Sequence, residues 1–338
     1  MKGFQKFLVL RTLSLIPTVL GVLILTFILS HVIPGNPALI LIGPEVNKSE
    51  LSIIENELGL NKPLYVQFFI YFWNLIHLNL GYDYLNGNTI SYFISFYFPP
   101  TFELALAAMI VGIPIGIVLG IFSALRVNKT SDHVTRVGTL LGISMPVFWT
   151  EVVFILIFFL YLKVAPAPLG QLSLSLTPPP RITGMIVLDS LLTGNFADFV
   201  NSLWHLVLPV VALSLAVFAT LSRLIRSSML DVINKDYMRT AFAIGLPRNI
   251  IINKYAFKNA LLPAITVIAI LTGGLISGVV LTETIFSLPG LGYYAYTSIL
   301  NHDYPAIMAV VMISALVFVI VNFVADVIYG LIDPRIKY

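Results

Sequence analysis

The sequence predicts an all-α polytopic membrane protein with six transmembrane helices, and three observations carry that fold class. Hydrophobic residues make up 58% of the 338 and Asp, Glu, Lys and Arg only 10%, against roughly 25% charged in an ordinary globular domain. Too few charges remain to cover a soluble surface. The apolar residues gather into runs of about 20, the length a helix rising about 1.5 Å per residue needs to cross hydrocarbon. Lys and Arg, finally, are shared unequally among the segments between those runs. Cysteine is absent, which excludes disulfides, thiolate zinc sites and cysteine nucleophiles.

The expected spans run from Leu13 to Val32, Phe102 to Leu125, Val137 to Leu162, Leu203 to Leu221, Ala264 to Ile285 and Ala306 to Leu331. Lys2, Lys6 and Arg11 precede the first, as in a signal peptide. Its apolar stretch is longer than a signal sequence requires and ends without an A-x-A site, so it reads as a retained anchor. The connection 33–101 is external, with a short helix expected over Ser49 to Leu58, capped by Ser49, and a sequon at Asn47-Lys48-Ser49. Phe68 to Leu80 is too short and too polar to span, and either packs on the outer face or re-enters. Segment 163–202 is a second external connection, stiffened by Thr177-Pro178-Pro179-Pro180. Two parts follow: 1–100, an anchor helix and external loop, and 101–338, a five-helix core containing the segment 222–262.

With the N-terminus inside, fifteen of the 19 Lys and Arg fall on the inner side, leaving Lys48, Lys62, Lys163 and Arg181 outside. The positive-inside rule therefore places both termini in the cytoplasm of a multi-pass plasma-membrane protein.

Within the spans, Gly112, Gly116 and Gly120 recur every four residues, so they share one helix face where another backbone can approach closely; Gly274 and Gly278 form a shorter pair. Pro114 and Pro146 are expected to kink their helices. Glu151 lies mid-span, where a carboxylate costs about 2.5 to 3.5 kcal/mol, offset by the nine apolar residues Val152 to Leu160 at about −0.5 kcal/mol each. It must face protein or water rather than lipid, either lining a pathway or holding a partner inside the bundle. Glu103, His205, Glu283 and Asp326 lie near span ends and read as interfacial anchors. The five histidines are scattered without ligand spacing, so no metal site is expected. Neither H-E-x-x-H, G-x-S-x-G nor a phosphate loop G-x-x-x-x-G-K-[ST] occurs, so nothing points to an enzyme or to nucleic acid.

Segment 222–262 carries helical pattern without enough apolar residues to span. Tyr237, Ala241 and Ile244 form a narrow stripe, Gly245 and Pro247 stop one helix and start another, and the second runs to Leu262-Pro263. Such a hairpin either docks in a partner's groove or lies on anionic headgroups.

The strings DYMRTAFAIGLP (Asp236 to Pro247) and KNALLP (Lys258 to Pro263) resemble the EAA loop of permease subunits in ATP-binding-cassette (ABC) importers, and more closely the dipeptide and oligopeptide permease branch. Ile33-Pro34-Gly35-Asn36-Pro37, Leu58-Gly59-Leu60-Asn61-Lys62-Pro63, Glu283-Thr284-Ile285-Phe286, Pro289-Gly290-Leu291-Gly292 and Asp333-Pro334-Arg335 extend the resemblance along most of the chain. Asn36 and Ile244 depart from the residues usual there. The resemblance implies a type I ABC importer permease fold, with a coupling helix seated in an ATPase cleft through Tyr237, Arg239, Thr240, Ala241, Ala243 and Gly245, and with Leu262-Pro263 completing the motif. It also implies a second, similar permease, two cytoplasmic ATPase subunits holding ATP and Mg, and an external solute-binding protein. This chain itself would bind no cofactor. The same architecture serves oligosaccharides or nickel in place of peptides. A different class, an ion-coupled secondary transporter, would make Glu151 the ion site but normally shows inverted repeats, and none is evident here.

Overall fold

A computed structural model describes residues 2–32, 48–57, 59–83 and 86–332. The Ile33 to Pro37 and Asp333 to Arg335 motifs, and Asn47 of the sequon, lie outside them. Among the described residues all regular structure is helical, apart from one isolated antiparallel bridge between Tyr82 and Thr89, and the connection 162–185 is irregular. We number the helices α1 (Lys2–Val32), α2 (Lys48–Glu57), α3 (Leu64–Ile76), α4 (Ile90–Ala124), α5 (Thr130–Ser144), α6 (Val147–Tyr161), α7 (Ile186–Leu192) and α8 (Phe196–Ile233). There follow α9 (Asp236–Ala243), α10 (Arg248–Ala260), α11 (Leu262–Ile276), α12 (Val280–Ile285), α13 (Leu291–Leu300) and α14 (Tyr304–Ile332).

Four of these, α1, α4, α8 and α14, are long and apolar enough to span unaided, and two bent pairs, α5 with α6 and α10 with α11, bring the count to six when each pair is taken as one span. The expected third span is therefore not one rod. Its two arms meet at 101°, because Met145, preceding Pro146, is extended (φ −85°, ψ 127°) and cannot continue the helix. Pro114 leaves α4 unbroken. The fifth span is also shorter than expected, ending at Ile276 and leaving α12 as a separate short helix. The second and fourth are longer: α4 begins at Ile90, and α8 continues to Ile233, so the first part of 222–262 is helix rather than loop. α2 includes Ser49 rather than starting after it. α3 leans on α1 through Phe68 and Phe27, whose rings meet edge to face at 5.3 Å.

The parallel pair α4 and α8 forms the spine. Gly112, Gly116 and Gly120 lie against Val217, Leu221 and Ile225, a matching four-residue ladder. A methyl group on any of them would come within 2.7 to 2.8 Å of those side chains, so the helices approach at a distance only glycine allows. The shorter pair needs correcting. A methyl on Gly274 would meet nothing within 4 Å, whereas one on its neighbour Gly273 would strike Phe318 of α14 at 2.6 Å. Gly278 lies beyond α11 at φ +110°, facing the backbone of Gly292.

Polar knots close both ends of the spine. At one end Asp132, fully buried, accepts from Arg226 Nε and Nη2 at 2.8 and 2.9 Å, from Ser123 at 2.5 Å and from the Asn128 amide at 3.1 Å. At the other, Glu103 accepts from Gln171 at 2.6 Å and from the Val187 amide at 2.9 Å. Glu103 and Ser123 stand on α4 about 30 Å apart at 1.5 Å per residue, the thickness of a hydrocarbon core. The two knots are thus separated by about the thickness of a hydrocarbon core.

Candidate functional site

Two features are candidate sites: the hairpin that follows α8, and a cavity beside the bent span.

The hairpin turns at Gly245, where φ is +74°. The Leu246 amide donates to Ala241 O at 3.3 Å and the Gly245 amide to Phe242 O at 3.1 Å, the paired bonds of a Schellman stop, which needs a left-handed residue at this position. Space is not the constraint, because nothing lies within 4 Å of a methyl added there. One face of α9 is seated on the chain itself: Met238 and Ala241 are buried and join a cluster with Met229, Ile251 and Ala256. The opposite face is open, with Tyr237, Arg239, Thr240 and Ala243 all exposed.

This corrects the expected docking set. Ala241 points inward and is unavailable to a partner, so the stripe Tyr237, Ala241, Ile244 is not a single face. Phe242, 50% exposed, and Ile244, 68% exposed, belong to the outward surface. Phe242 escaped the sequence reading because it falls outside that stripe; the signal was Met238 and Ala241, three residues apart, already accounting for the inward side. Leu262 and Pro263 sit not on α9 but at the junction where α10 and α11 meet at 50°, so they set the angle at which the hairpin rejoins the bundle.

The cavity, about 570 Å³, is walled by Val147 and Phe148 of α6, Leu213, Ala216 and Val217 of α8, Ile270, Leu271, Gly274 and Leu275 of α11, and the turn and helix from Gly278 to Thr282. Gly274 thus serves the cavity wall, which explains the open space beside it. The lining is almost wholly apolar. Behind it, Glu151 is fully buried; Oε1 accepts from Thr282 Oγ1 at 2.5 Å, while Oε2 has no hydrogen-bond partner among the described residues. An intramembrane carboxyl left half satisfied is costly, in contrast to its neighbour on α12.

That neighbour, Glu283, is also fully buried but saturated. Thr101 Oγ1 donates to it at 2.6 Å and the Tyr293 amide at 2.8 Å, while the Thr101 hydroxyl accepts the Leu291 amide at 2.7 Å. The Pro289 to Gly292 motif explains itself here: a methyl on Gly290 would lie 2.2 Å from the Glu283 carboxyl carbon, and one on Gly292 2.8 Å from Val280 Cα. Glu283 and Glu103 are therefore not interfacial anchors; each holds a buried junction between α4 and the connecting segments. Asp326 pairs with Arg11, tying α14 to α1, and His205 bonds the Asn201 carbonyl on its own helix.

Further junctions fasten the segments around Glu103 and Glu283. Asp189 of α7 accepts from the amides of Ile182, Thr183 and Gly184 and from the Thr183 hydroxyl. Burial acts to raise its pKa, but these bonds outweigh it and hold the carboxyl below its usual range. Tyr294 of α13 stacks on Tyr97 at 4.9 Å and donates to Asp83 at 2.9 Å; burial and that carboxylate push its hydroxyl up.

Residues 116–338 match the family described as binding-protein-dependent transport system inner membrane component, and residues 4–105 match its N-terminal membrane component. The chain belongs to this family. It is 42% identical over 333 residues to the "Probable D,D-dipeptide transport system permease protein" of Escherichia coli K12, covering 98% of both chains. It is 40% identical over 328 residues to a dipeptide transport system permease protein of Alkalihalophilus pseudofirmus, covering 97% of this chain and 98% of the relative. A di/tripeptide transport system permease protein of Pseudomonas aeruginosa is 37% identical over 338 residues, covering 98% and 99%. As a binding-protein-dependent permease, the chain is a multi-pass membrane transport subunit of an ABC importer, not an enzyme, and it works with an ATPase and a solute-binding protein.

Proposed function

We propose that this permease carries small peptides, and that the outward face of α9 is its contact with the ATPase. The observation that carries the reading is a division of labour on one short helix. Met238 and Ala241 anchor α9 to the core of the bundle, while Tyr237, Phe242 and Ile244 leave apolar surface uncovered beside Arg239. A helix built this way transmits force: a partner that grips the outer face moves the inner face, and with it α8 and α10. The relatives named for dipeptides and D,D-dipeptides support a peptide cargo.

The remaining assignments follow from the family's architecture. One chain supplies half of the pathway, so a second permease completes it, with two ATPase subunits holding ATP and Mg on the hairpin side and the binding protein on the other. The positive-inside asymmetry supports both termini lying on the hairpin side, in the cytoplasm. Glu151 lies behind Thr282 of the cavity wall, so movement of α12 away from α6 would open that carboxyl to the pathway.

Reconstitution of the whole importer in vesicles tests this. ATP-dependent uptake of a labelled dipeptide, supplied with the binding protein, is expected to be lost in Gly245→Leu and in Tyr237→Ala/Phe242→Ala while all subunits still assemble. Uptake that follows a proton gradient without ATP, and that fails only in Glu151→Gln, would instead establish a secondary carrier.

A further inference from the structure

Below the apolar cavity, on the hairpin side of the bundle, α5 and α8 flank a second, open cavity of about 310 Å³, lined by His133, Arg136, Val137, Leu140, Arg223 and Arg226, all exposed but Arg226. Three guanidinium groups and an imidazole share it with one acid nearby, Asp132. That acid is already committed: its two oxygens take Arg226, Ser123 and the Asn128 amide. Arg136 and Arg223 have no hydrogen-bonding or ion-pair partner for their side chains among the described residues. In a chain where charged residues are only 10% of the total, two unpaired arginines facing one small cavity form a concentrated positive site. The planar fork of arginine suits an oxyanion with several acceptor oxygens.

The other walls of the cavity narrow the choice of anion. Val137 and Leu140 are 58% and 54% exposed, and Val134 and Leu141 extend the strip along α5. A free anion has no use for an apolar strip, whereas a phospholipid presents a phosphate and an acyl chain together. The depth also fits. Arg226 belongs to the knot at the hairpin end of α4, where its apolar run stops, and Arg223 stands on α8 seven residues beyond Ala216 of the apolar cavity, about 10 Å along the axis. Basic pockets between helices at this level are headgroup sites.

We propose that this cavity holds the phosphate of an anionic phospholipid, gripped by Arg136 and Arg223, with an acyl chain lying along Val137 and Leu140. The bound lipid would tie α5, one arm of the bent span, to α8, which continues into the hairpin. The inference does not depend on which solute is transported.

Native mass spectrometry of the intact transporter, purified in mild detergent and exposed to phosphatidylglycerol or phosphatidylcholine, tests it. Phosphatidylglycerol should remain bound where phosphatidylcholine does not. Arg136→Gln/Arg223→Gln should weaken retention by about thirtyfold, from two cations removed near the headgroup. Lys254→Gln/Lys258→Gln, which removes the same charge from α10, should leave retention unchanged, and Arg136→Lys/Arg223→Lys should restore much of it without a change of fold. Equal retention of both lipids, or an equal loss in the lysine pair, would overturn the site. Displacement of phosphatidylglycerol by excess inorganic phosphate would overturn it in favour of a free-anion pocket.

Discussion

The Glu283 knot and the α9 hairpin both rest on glycine, and for opposite reasons. Around Glu283, Gly290 and Gly292 are required because there is no room: a methyl would enter the carboxyl or the backbone of α12. At Gly245 there is ample room, and only the left-handed backbone demands glycine. The first region is saturated, with each donor and acceptor engaged across three segments. The second keeps one face anchored and one face unfilled. Saturation marks a part of the transporter that holds its shape, and on the proposed reading the unfilled face is the part that meets another chain.

If that contrast is right, damage to the knot should appear as lost stability and damage to the hairpin as lost coupling. The largest effect is expected for Gly290→Ala, which should cost more than about 3 kcal/mol because neither the buried carboxyl nor the backbone can yield. The measurement is the yield of monodisperse protein and its thermal midpoint, and a midpoint equal to that of the unaltered protein would dismiss the knot as a constraint. Glu283→Gln keeps the shape but turns an amide donor toward the Tyr293 N–H or the Thr101 hydroxyl. A loss of about 1 to 3 kcal/mol is expected, read from the same melting curves.

Gly245→Ala comes next, at about 1 to 2 kcal/mol of strain from the left-handed backbone. The strain is confined to the hairpin, so hydrogen exchange should rise over residues 236–250 and stay unchanged in α4 and α13. Smallest in stability is Tyr237→Ala/Phe242→Ala, expected within about 0.5 kcal/mol because both side chains face outward. Its consequence should fall on function, as loss of ATPase stimulation by the loaded binding protein. A double variant that melts early but couples normally would reverse the assignment of the two regions. Glu151→Gln sharpens the contrast from a third position. Its Oε2 has no partner to lose, so melting should change by less than about 1 kcal/mol while peptide uptake changes.

Much of this was legible in the residues. The number of spans, the anchor helix, the glycine ladder of α4 and the Gly245 stop each depend on local pattern: run length, four-residue spacing and a turn that only one residue type adopts readily. That Glu151 avoids lipid followed from the cost of a carboxylate in hydrocarbon, although whether it lines a pathway or holds a partner did not. Less legible were the positions whose meaning depends on a distant partner. Gly274 could not be told from Gly273, because the answer lies in where Phe318 of α14 falls. Glu103 and Glu283 sit near span ends and look like interfacial anchors until Gln171, the α7 amides and Thr101 are brought to them.

The sequence by itself determined that the chain crosses a membrane about six times and carries a hairpin outside it, because hydrophobic run length and backbone preference act within a few neighbouring residues. Only the tertiary structure decided which face of α9 is free, that Met145 and Pro146 turn one span through 101°, and that Arg136 and Arg223 converge on one cavity. Those outcomes depend on which helices pack together, and packing is settled by the fit of surfaces from residues as far apart as Arg136 and Arg223, whose proximity no local pattern encodes.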